Sequence, residues 1–305
     1  MRVIEAEAIE AAARSGWPAL IDAADRALTA LARGGAMAPL RTSLELDGGT
    51  LLTMPGRLAG EDAVVKLVSV MPGNVERPTI QGVAVHVDAR DGRVHSIFDG
   101  SALTAVRTAA ITAAAARRVD ARAGTLALLG SGAQAPWQAR ALGAVCPLHT
   151  IRIWSPRVEH RQQLAATLHE DMGMAVRASA SVAEAVSGAD VVVCATAAEE
   201  PFLHADLLDR FPCTVIAIGA YRPNMAEFAP DVAARARRIY ADDVSAVLHE
   251  AGDVQAAITA GAVTPQDVLP IGGITEMSDA PVRLVKTVGS AAEDAAVAMA
   301  LDEMV

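Results

Sequence analysis

Residues 125–142 read TLALLGSGAQAPWQARAL, and this stretch decides how the second half of the chain folds. Its apolar part, Leu126–Leu129, predicts a strand, and Gln134–Ala144 predicts a helix. The turn between them, 130–135, matches the pattern G-x-G-x-x-A. Gly130 permits the tight turn, Gly132 lets the backbone approach a pyrophosphate, and Ala135 allows close contact between helix and strand. Free N–H groups at a helix start attract phosphate, so the segment predicts a dinucleotide-binding unit.

The sequence on the C-terminal side of this turn alternates short apolar runs with helical patterns. The segments are Ile151–Trp154, Val158–Met172, Val176–Ala178, Val182–Val186, Val191–Ala195, Val215–Ile218 and Arg238–Ala241. Short apolar strands that alternate with helices indicate a parallel sheet covered on both faces. We therefore predict a doubly wound Rossmann domain over residues 113–281.

The sequence on the N-terminal side has the period-two pattern of a mostly antiparallel sheet. The predicted strands are Leu40–Leu46, Thr50–Met54, Val64–Val70, Gly82–Val87 and Arg93–Phe98, with a hairpin signal at Asp91-Gly92. Helices are predicted at Ile4–Ala13, Pro18–Arg33, Ser101–Arg118 and Val282–Leu301, the last packing back against this region. The fold class is therefore α/β, a Rossmann domain plus an α+β domain formed by residues 1–112 and 282–305.

Composition and charge exclude several classes of protein. Of the 305 residues 52% are hydrophobic, which excludes disorder as the main state. The longest apolar runs, such as Val191–Ala195, are far shorter than the roughly 18 residues of a membrane span. The first residues lack the cationic and apolar regions of a secretory signal, so we expect a cytoplasmic protein. A net charge of −10 without a basic run argues against nucleic acid as a partner.

The three cysteines, Cys146, Cys194 and Cys213, are far apart and form no C-x-x-C pair. They therefore indicate neither a disulfide framework nor a zinc site, and we expect them to be small buried apolar residues. No metal site is predicted.

The end of the second Rossmann strand indicates which dinucleotide binds. An acidic residue there would bind the ribose 2′-hydroxyl of NAD. Here the sequence 151–161 is IRIWSPRVEHR, with Trp154 and Ser155 in the acidic position and Arg157 and Arg161 just beyond. Guanidinium groups suit a phosphate dianion, so we predict a preference for NADPH, with NADH as the alternative donor.

Three cations in the first domain indicate a carboxylate ligand. The chain has 24 Arg and only two Lys, and one of these, Lys66, shares a strand face with Val64, Val68 and Val70. Arg107 lies on the apolar stripe of its helix and requires an anion. Arg41 lies on the strand face opposite Leu40, Leu44 and Leu46, where a role in solvent is equally compatible with the pattern. Together these groups suit a small substrate that carries a carboxylate, with Lys66 as its ligand or as a proton donor.

Six segments of the chain resemble the ornithine cyclodeaminase/μ-crystallin family, and the resemblance covers nearly the whole length. They are LLTMPG (51–56), VVKLVSVMPGN (64–74), RPTIQG (77–82), FDGSALTAVRTAA (98–110), LLGSGAQA (128–135), and VKTVGSAAEDAA (285–296) with HEAGD (249–253). The resemblance implies a homodimer whose N-terminal domains pair their sheets. It also implies that this domain binds the substrate, with Arg41, Lys66 and Arg107 around the carboxylate and Met54 lining the pocket.

The same resemblance implies which residues contact the cofactor. From the first domain these are Thr79, Arg107 and Thr108; at the pyrophosphate they are Gly130, Ser131, Gly132, Ala133 and Gln134; at the adenosine ribose, Ser155, Arg157 and His160; and at the nicotinamide, Thr196, Gly219 and Thr287. NADPH-using relatives read Asn-Arg-Thr where this chain has Ser155-Pro156-Arg157, so the arginine is displaced by one residue.

Two departures from the family pattern bear on the reaction. Where this chain has Tyr221, the ornithine cyclodeaminases that it resembles have an Asp. Where it has Leu52, they have a Glu. Ornithine cyclisation is therefore disfavoured, and GAYRP (219–223) is more similar to ketimine reductases and alanine dehydrogenases. We predict NADPH-dependent reduction of a cyclic ketimine carboxylate, Δ1-pyrroline-2-carboxylate or Δ1-piperideine-2-carboxylate, to L-proline or L-pipecolate. The alternatives are an alanine- or opine-type dehydrogenase, a cyclodeaminase-type lyase, and a non-catalytic protein that binds NADPH and a ligand, as in the μ-crystallin branch.

Overall fold

The computed structural model describes residues 1–121, 124–276 and 278–305. Its strands are β1 (Arg2–Ile4), β2 (Ala36–Met37), β3 (Thr42–Leu46), β4 (Gly49–Leu58), β5 (Ala63–Val70), β6 (Ile80–Val87), β7 (Val94–Asp99), β8 (Thr125–Leu129), β9 (Thr150–Trp154), β10 (Ala175–Ala178), β11 (Val191–Cys194), β12 (Cys213–Ala217), β13 (Ile239–Ala241), β14 (Val268–Pro270) and β15 (Val282–Lys286). Its α-helices are α1 (Ala6–Ala32), α2 (Gly100–Arg118), α3 (Ala135–Gly143), α4 (Val158–Met172), α5 (Val182–Val186), α6 (Pro230–Ala236), α7 (Val244–Glu250), α8 (Gly252–Thr259) and α9 (Ala291–Met304). The chain divides into two compact units, Met1–Ile111 with Gly289–Val305, and Thr112–Val288.

The first unit is built on a mixed sheet of seven strands in the order β1-β7-β6-β5-β4-β2, with β3 also paired to β4. All pairs are antiparallel except β1 with β7, as predicted for a mostly antiparallel sheet. Helix α9 packs on β4 and β5, and α1 packs on α9. The covered face of β5 carries Val64, Lys66, Val68 and Val70, all buried, because side chains alternate along a strand.

The prediction of two N-terminal helices is wrong. A single helix, α1, runs through Pro18, and residues 2–4 form a strand instead of a helix start. Proline removes one helical hydrogen bond, which made it a plausible break. The apolar stripe that includes Ile9, Trp17 and Leu20 is nevertheless continuous and fully packed, and burial of this stripe offsets that loss.

The second unit contains an eight-stranded parallel sheet in the order β10-β9-β8-β11-β12-β15-β13-β14. Chain connections run in one direction from β8 through β9 to β10 and in the other from β11 onwards. The order therefore reverses between β8 and β11, and ligands of doubly wound sheets bind at the carboxyl ends of such strands. The predicted α/β fold with a Rossmann sheet is confirmed.

The prediction of one helix over Val282–Leu301 is wrong for its first part. Residues 282–286 form β15, a strand of the second unit between β12 and β13, and the helix α9 begins only at Ala291. Gly289 between them has φ +81°, and a capping box of Ser290 and Glu293 starts the helix. The run VRLV is rich in apolar residues that suit a strand buried on both faces, and periodicity alone does not distinguish such a strand from a helix.

Two further observations concern burial. The predicted burial of Cys146, Cys194 and Cys213 is confirmed. Across the described ranges, no helix is long and apolar enough to cross a membrane.

Candidate functional site

The first unit contains a buried ion pair between β5 and α9. Lys66 Nζ lies 2.8 Å from each carboxylate oxygen of Asp294, and both side chains are almost completely buried. Burial lowers the pKa of Lys66 from 10.5 to about 8; Asp294 opposes this decrease, and Arg107 adds to it. Burial alone would raise the pKa of Asp294, but Lys66 and Arg107 hold it below its usual value. Burial therefore brings the pKa of Lys66 down towards neutral pH, while Asp294 limits the decrease.

Arg107 joins the same cluster from α2. Its Nε lies 3.0 Å from Asp294 Oδ1, and its Nη1 lies 3.3 Å from Glu293 Oε2. The anions that face this arginine are therefore two carboxylates of the protein itself. Gly289 makes room for the guanidinium, since a Cβ there would lie 2.4 Å from Arg107 Nη1.

Arg41 completes the cluster from the residue just before β3. Its Nη2 donates a hydrogen bond of 2.9 Å to Gly289 O, and its charge acts on both Lys66 and Asp294. The side chain is half-buried, whereas Leu40, Leu44 and Leu46 are exposed. Ser43 and Glu45, on the same strand face as Arg41, are exposed as well, so both faces of β3 meet solvent and the alternation along this strand does not account for the partial burial of Arg41.

The cluster has one more cation than anion among the five side chains described. Arg41, Lys66 and Arg107 are positive, and Glu293 and Asp294 are negative. Met54, predicted to line the pocket, is buried on β4 directly opposite Lys66.

In the second unit, the predicted phosphate-binding turn has the required backbone. Gly130 has φ +129°, and a Cβ there would lie 2.3 Å from Ala195 O, so only glycine fits. At Gly132 a Cβ would meet no described atom within 4 Å, which leaves space at the start of α3. Ala133 is exposed and Gln134 half-buried beside it. These features fit a dinucleotide pyrophosphate at the end of β8.

The end of β9 carries hydroxyl and guanidinium groups. Ser131 Oγ donates to Ser155 Oγ at 2.8 Å, and Ser155 O accepts from Arg161 Nη1 at 2.6 Å. Arg157, the N-cap residue of α4, and His160 are exposed. The predicted ribose end of the site therefore has no carboxylate among these residues and two arginines close to Ser155.

Glu227 connects the loops that follow β11 and β12, and sequence reasoning missed it. Its Oε1 accepts from Thr196 N and Oγ1 at 2.7 and 2.9 Å, and its Oε2 accepts from Gly219 N at 2.7 Å. Asp253 Oδ2 lies 3.5 Å from Lys286 Nζ and accepts from Glu227 N. Burial raises the pKa of both Glu227 and Asp253. The structure thus brings two predicted nicotinamide residues, Thr196 and Gly219, onto one buried carboxylate.

Three predicted cofactor residues remain, Thr287, Thr79 and Thr108. Thr287 follows β15, is buried, and donates its N–H to Ala217 O at 3.1 Å. In the first unit, Thr79 is exposed just before β6, and Thr108 is half-buried on α2 with its hydroxyl bonded to Thr104 O.

A family model described as the ornithine cyclodeaminase/mu-crystallin family matches residues 2–305. The chain belongs to this family. Glu293 and Asp294, whose roles were not predicted, lie in VKTVGSAAEDAA (285–296), one of the segments that carried the resemblance. The resemblance of that segment to the family was therefore the one sequence signal from which a role for Glu293 and Asp294 could have been predicted.

Two similar relatives with curated names are reductases. The chain is 31% identical over 278 residues to a Delta(1)-pyrroline-2-carboxylate reductase of Bacillus cereus, covering 87% of this chain and 85% of that one. It is 34% identical over 227 residues to the ketimine reductase mu-crystallin of Mus musculus, covering 72% and 71%. The solved Delta(1)-pyrroline-2-carboxylate reductase of Thermococcus litoralis, in complex with NADH and L-proline, has the same fold, with a TM-score of 0.92, 24% identity and coverage of 100% and 97%.

Tyr221, which replaces the Asp expected of the cyclising members of the family, is half-buried against the core of the second unit. The Arg222 guanidinium lies 5.4 Å from its ring centroid. Leu52, the other departure, is buried on β4. Neither position offers a carboxylate base.

Proposed function

We propose that this protein reduces a small cyclic ketimine carboxylate, Δ1-pyrroline-2-carboxylate or Δ1-piperideine-2-carboxylate, with NADPH as the hydride donor. The products are L-proline or L-pipecolate. The observation that carries the proposal is the buried cluster in which Lys66 pairs with Asp294 beside Arg107 and Arg41. It combines a candidate proton donor with two guanidinium groups, and these suit the imine nitrogen and the carboxylate of a cyclic ketimine carboxylate.

The prediction that the chain is an NAD(P)H-dependent oxidoreductase acting on C=N or CH–NH bonds is confirmed by its family and by its reductase relatives at 31% and 34% identity. The choice of NADPH and of the substrate belongs to the proposal.

The substrate carboxylate would bind beside the cations of the cluster. Arg41 and Arg107 provide planar guanidinium groups that suit a carboxylate. The charges of both arginines also act on Lys66 and lower its pKa. Binding there would orient the C=N bond relative to the carboxylate and so determine which face is reduced. Met54 and Leu52 supply apolar surface on β4 for the ring methylenes.

Lys66 would supply the proton of the reaction. Reduction of C=N adds a hydride to carbon and a proton to nitrogen, and a protonated imine accepts hydride more readily. A lysine whose pKa is about 8 is largely protonated at neutral pH yet can release its proton. Asp294 holds the ammonium in place and opposes the effect of burial on its pKa.

The nucleotide would bind in the second unit. NADPH supplies the hydride when bound. The turn 130–135 would hold the pyrophosphate, Ser155, Arg157 and Arg161 the 2′-phosphate, and the loops at Thr196, Gly219 and Thr287 the nicotinamide. The open space at Gly132 and the absence of an acidic side chain at Trp154 and Ser155 support this assignment.

We also propose a homodimer in the cytoplasm. Support for the dimer comes from β3, an edge strand on which Leu44 is 59% exposed and Leu46 41% exposed. An exposed edge strand offers unpaired backbone groups to another chain, and the two exposed leucines add apolar surface to that edge.

The test is to follow NADPH consumption by the purified protein with a panel of substrates. We expect consumption with one or both cyclic ketimine carboxylates, and slower consumption with NADH. NADPH consumption only with 2-oxo acids plus ammonia would contradict the proposal and indicate an amino acid dehydrogenase. Release of ammonia from ornithine without net NADPH consumption would indicate a lyase. Binding of NADPH without turnover of any substrate would indicate a non-catalytic protein.

A further inference from the structure

A second cluster of ionisable groups lies in the first unit and takes no part in the proposed reaction. Asp62 precedes β5, His86 lies near the end of β6, Asp88 lies in the turn after β6, and His95 lies on β7. The β5–β6 and β6–β7 pairings are antiparallel, and both place these residues at one end of the sheet.

The distances within this cluster are those of a ligand shell. His86 Nε2 lies 3.2 Å from Asp62 Oδ2, and His95 Nε2 lies 3.7 Å from the same oxygen. One ligand atom from each of these three residues lies within 4.8 Å of the other two. Tetrahedral zinc with bonds of about 2.0–2.1 Å separates neighbouring ligand atoms by about 3.3 Å. The three atoms therefore need only small shifts to surround one ion.

A fourth carboxylate, that of Asp88, lies next to His95 but outside the group of three ligand atoms within 4.8 Å of one another. Asp88 Oδ2 lies 3.3 Å from His95 Nε2, and the Asp88 side chain is buried. The same oxygen also faces Arg90 Nη2 at 3.1 Å, but the Arg90 side chain is 89% exposed. Arg90 can therefore turn into solvent at little cost when a metal ion binds Asp88.

The partners of His86 are those typical of a metal-binding imidazole. Its Nδ1 lies 3.0 Å from Asp302 Oδ2, and Asp302 is itself held by Ser96 and Arg2 at 2.5 and 2.7 Å. Metal-bound histidines usually donate their other ring N–H to a carboxylate. A neutral imidazole has one N–H, so when Nδ1 donates to Asp302, the Nε2 lone pair faces the Asp62 oxygen. A cation between these two acceptors removes their repulsion.

We propose that Asp62, His86 and His95, with Asp88 as the fourth ligand, form a binding site for a divalent transition metal ion, best suited to Zn²⁺. Two imidazoles and two carboxylates favour zinc over calcium or magnesium, which prefer oxygen ligands only. The ion would join the turn before β5 to the β6–β7 hairpin and, through His86 and Asp302, to α9. This departs from the sequence-based expectation of no metal site, which considered only the cysteines.

The test uses the full-length protein and does not depend on the proposed reaction. After treatment with a chelator, the protein is titrated with Zn²⁺ by calorimetry, and Co²⁺ is added separately to record visible absorption. We expect one Zn²⁺ per chain, an absorption spectrum typical of four-coordinate cobalt, and a rise in melting temperature with zinc.

Variants assign the site. His95→Gln and Asp88→Asn should each weaken Zn²⁺ binding at least about 100-fold. His204→Gln is the matched control, because His204 lies 3.9 Å from a single carboxylate, Asp231, and should bind zinc as the parent does. Metal-free melting temperatures establish that each variant folds. Failure of the parent to bind stoichiometric Zn²⁺, or equal binding by the parent and both ligand variants, would overturn the proposal.

Discussion

Lys66 Nζ donates a 2.8 Å hydrogen bond to Asp294 Oδ1 across 228 residues of sequence, and both groups are withdrawn from water. A buried pair of this kind is a weak source of stability, because desolvation offsets much of the attraction. Asp294 raises the pKa of the buried amine, whereas Arg107 lowers it, so the pair sets the proton affinity of Lys66.

Replacing Lys66 by methionine tests its proposed role. Methionine has a volume similar to that of lysine but no ionisable proton to donate. We therefore expect Lys66→Met to lower kcat at least about 100-fold for the ketimine substrate. Leu67→Met, the next position on β5 and half-exposed on the opposite face, is the control and should keep its kcat. Steady-state kinetics measure both. An unchanged kcat in Lys66→Met would remove this residue from the mechanism.

The pH dependence of the reaction should follow Lys66. Activity requires the protonated amine, so kcat/KM should decrease as pH rises through about 8. Asp294 raises the pKa of Lys66 against the effect of burial, so Asp294→Asn should move this decrease to lower pH. Glu303→Gln, which removes an exposed carboxylate from the same helix, should leave the profile in place. If kcat/KM of Asp294→Asn depended on pH in the same way as that of the parent, Asp294 would not set the pKa of Lys66.

The cofactor preference should depend on the end of β9. Each charge-assisted contact to a phosphate is worth about 1.5–3 kcal/mol, so Arg157→Ala and Arg161→Ala should raise the KM for NADPH about 10- to 100-fold. The KM for NADH should change little in both variants. Ser155→Asp should reverse the preference, because a carboxylate there binds the 2′-hydroxyl of NADH and repels the 2′-phosphate. A parent enzyme that prefers NADH would refute this assignment.

Glu227 should hold the loops after β11 and β12 together. In Glu227→Gln, an amide nitrogen replaces one carboxylate oxygen and faces a backbone N–H, so one buried donor loses its acceptor. We expect a loss of about 1–3 kcal/mol in the free energy of unfolding. Denaturant unfolding measures this, with the exposed Glu200→Gln as a control. An unchanged free energy would show that the loops do not depend on these bonds.

The exposed leucines of β3 should mark the dimer interface. Leu44→Glu places a charge on this strand, and we expect it to convert the dimer to a monomer. Light scattering after size exclusion gives the mass. Val75→Glu, at a 95% exposed position outside the strand, should remain dimeric. A dimeric Leu44→Glu variant would place the interface elsewhere.

Several elements could be predicted because their signals are local. The turn at Gly130 and Gly132 depends on backbone conformation within six residues, and the strand before it and the helix after it have distinct periods. The burial of Lys66 followed from the alternation of side chains along β5. The limits of α1 and β15 were predicted wrongly, because burial against distant elements overrides the local effects of Pro18 and of a helix-like pattern at residues 282–286.

What the sequence by itself determined is the α/β fold class, the glycine-rich turn after β8, the family, and the burial of Lys66. Only the tertiary structure decided what the cations of the first domain face. Arg107 was expected to need an anion, yet Glu293 and Asp294 lie almost two hundred residues along the chain, and no local period reports such a pairing. The same holds for Glu227 with its two loops and for His86 between Asp62 and Asp302. The sequence gives the chemical type of each side chain, but the groups that each side chain contacts depend on how distant segments pack together.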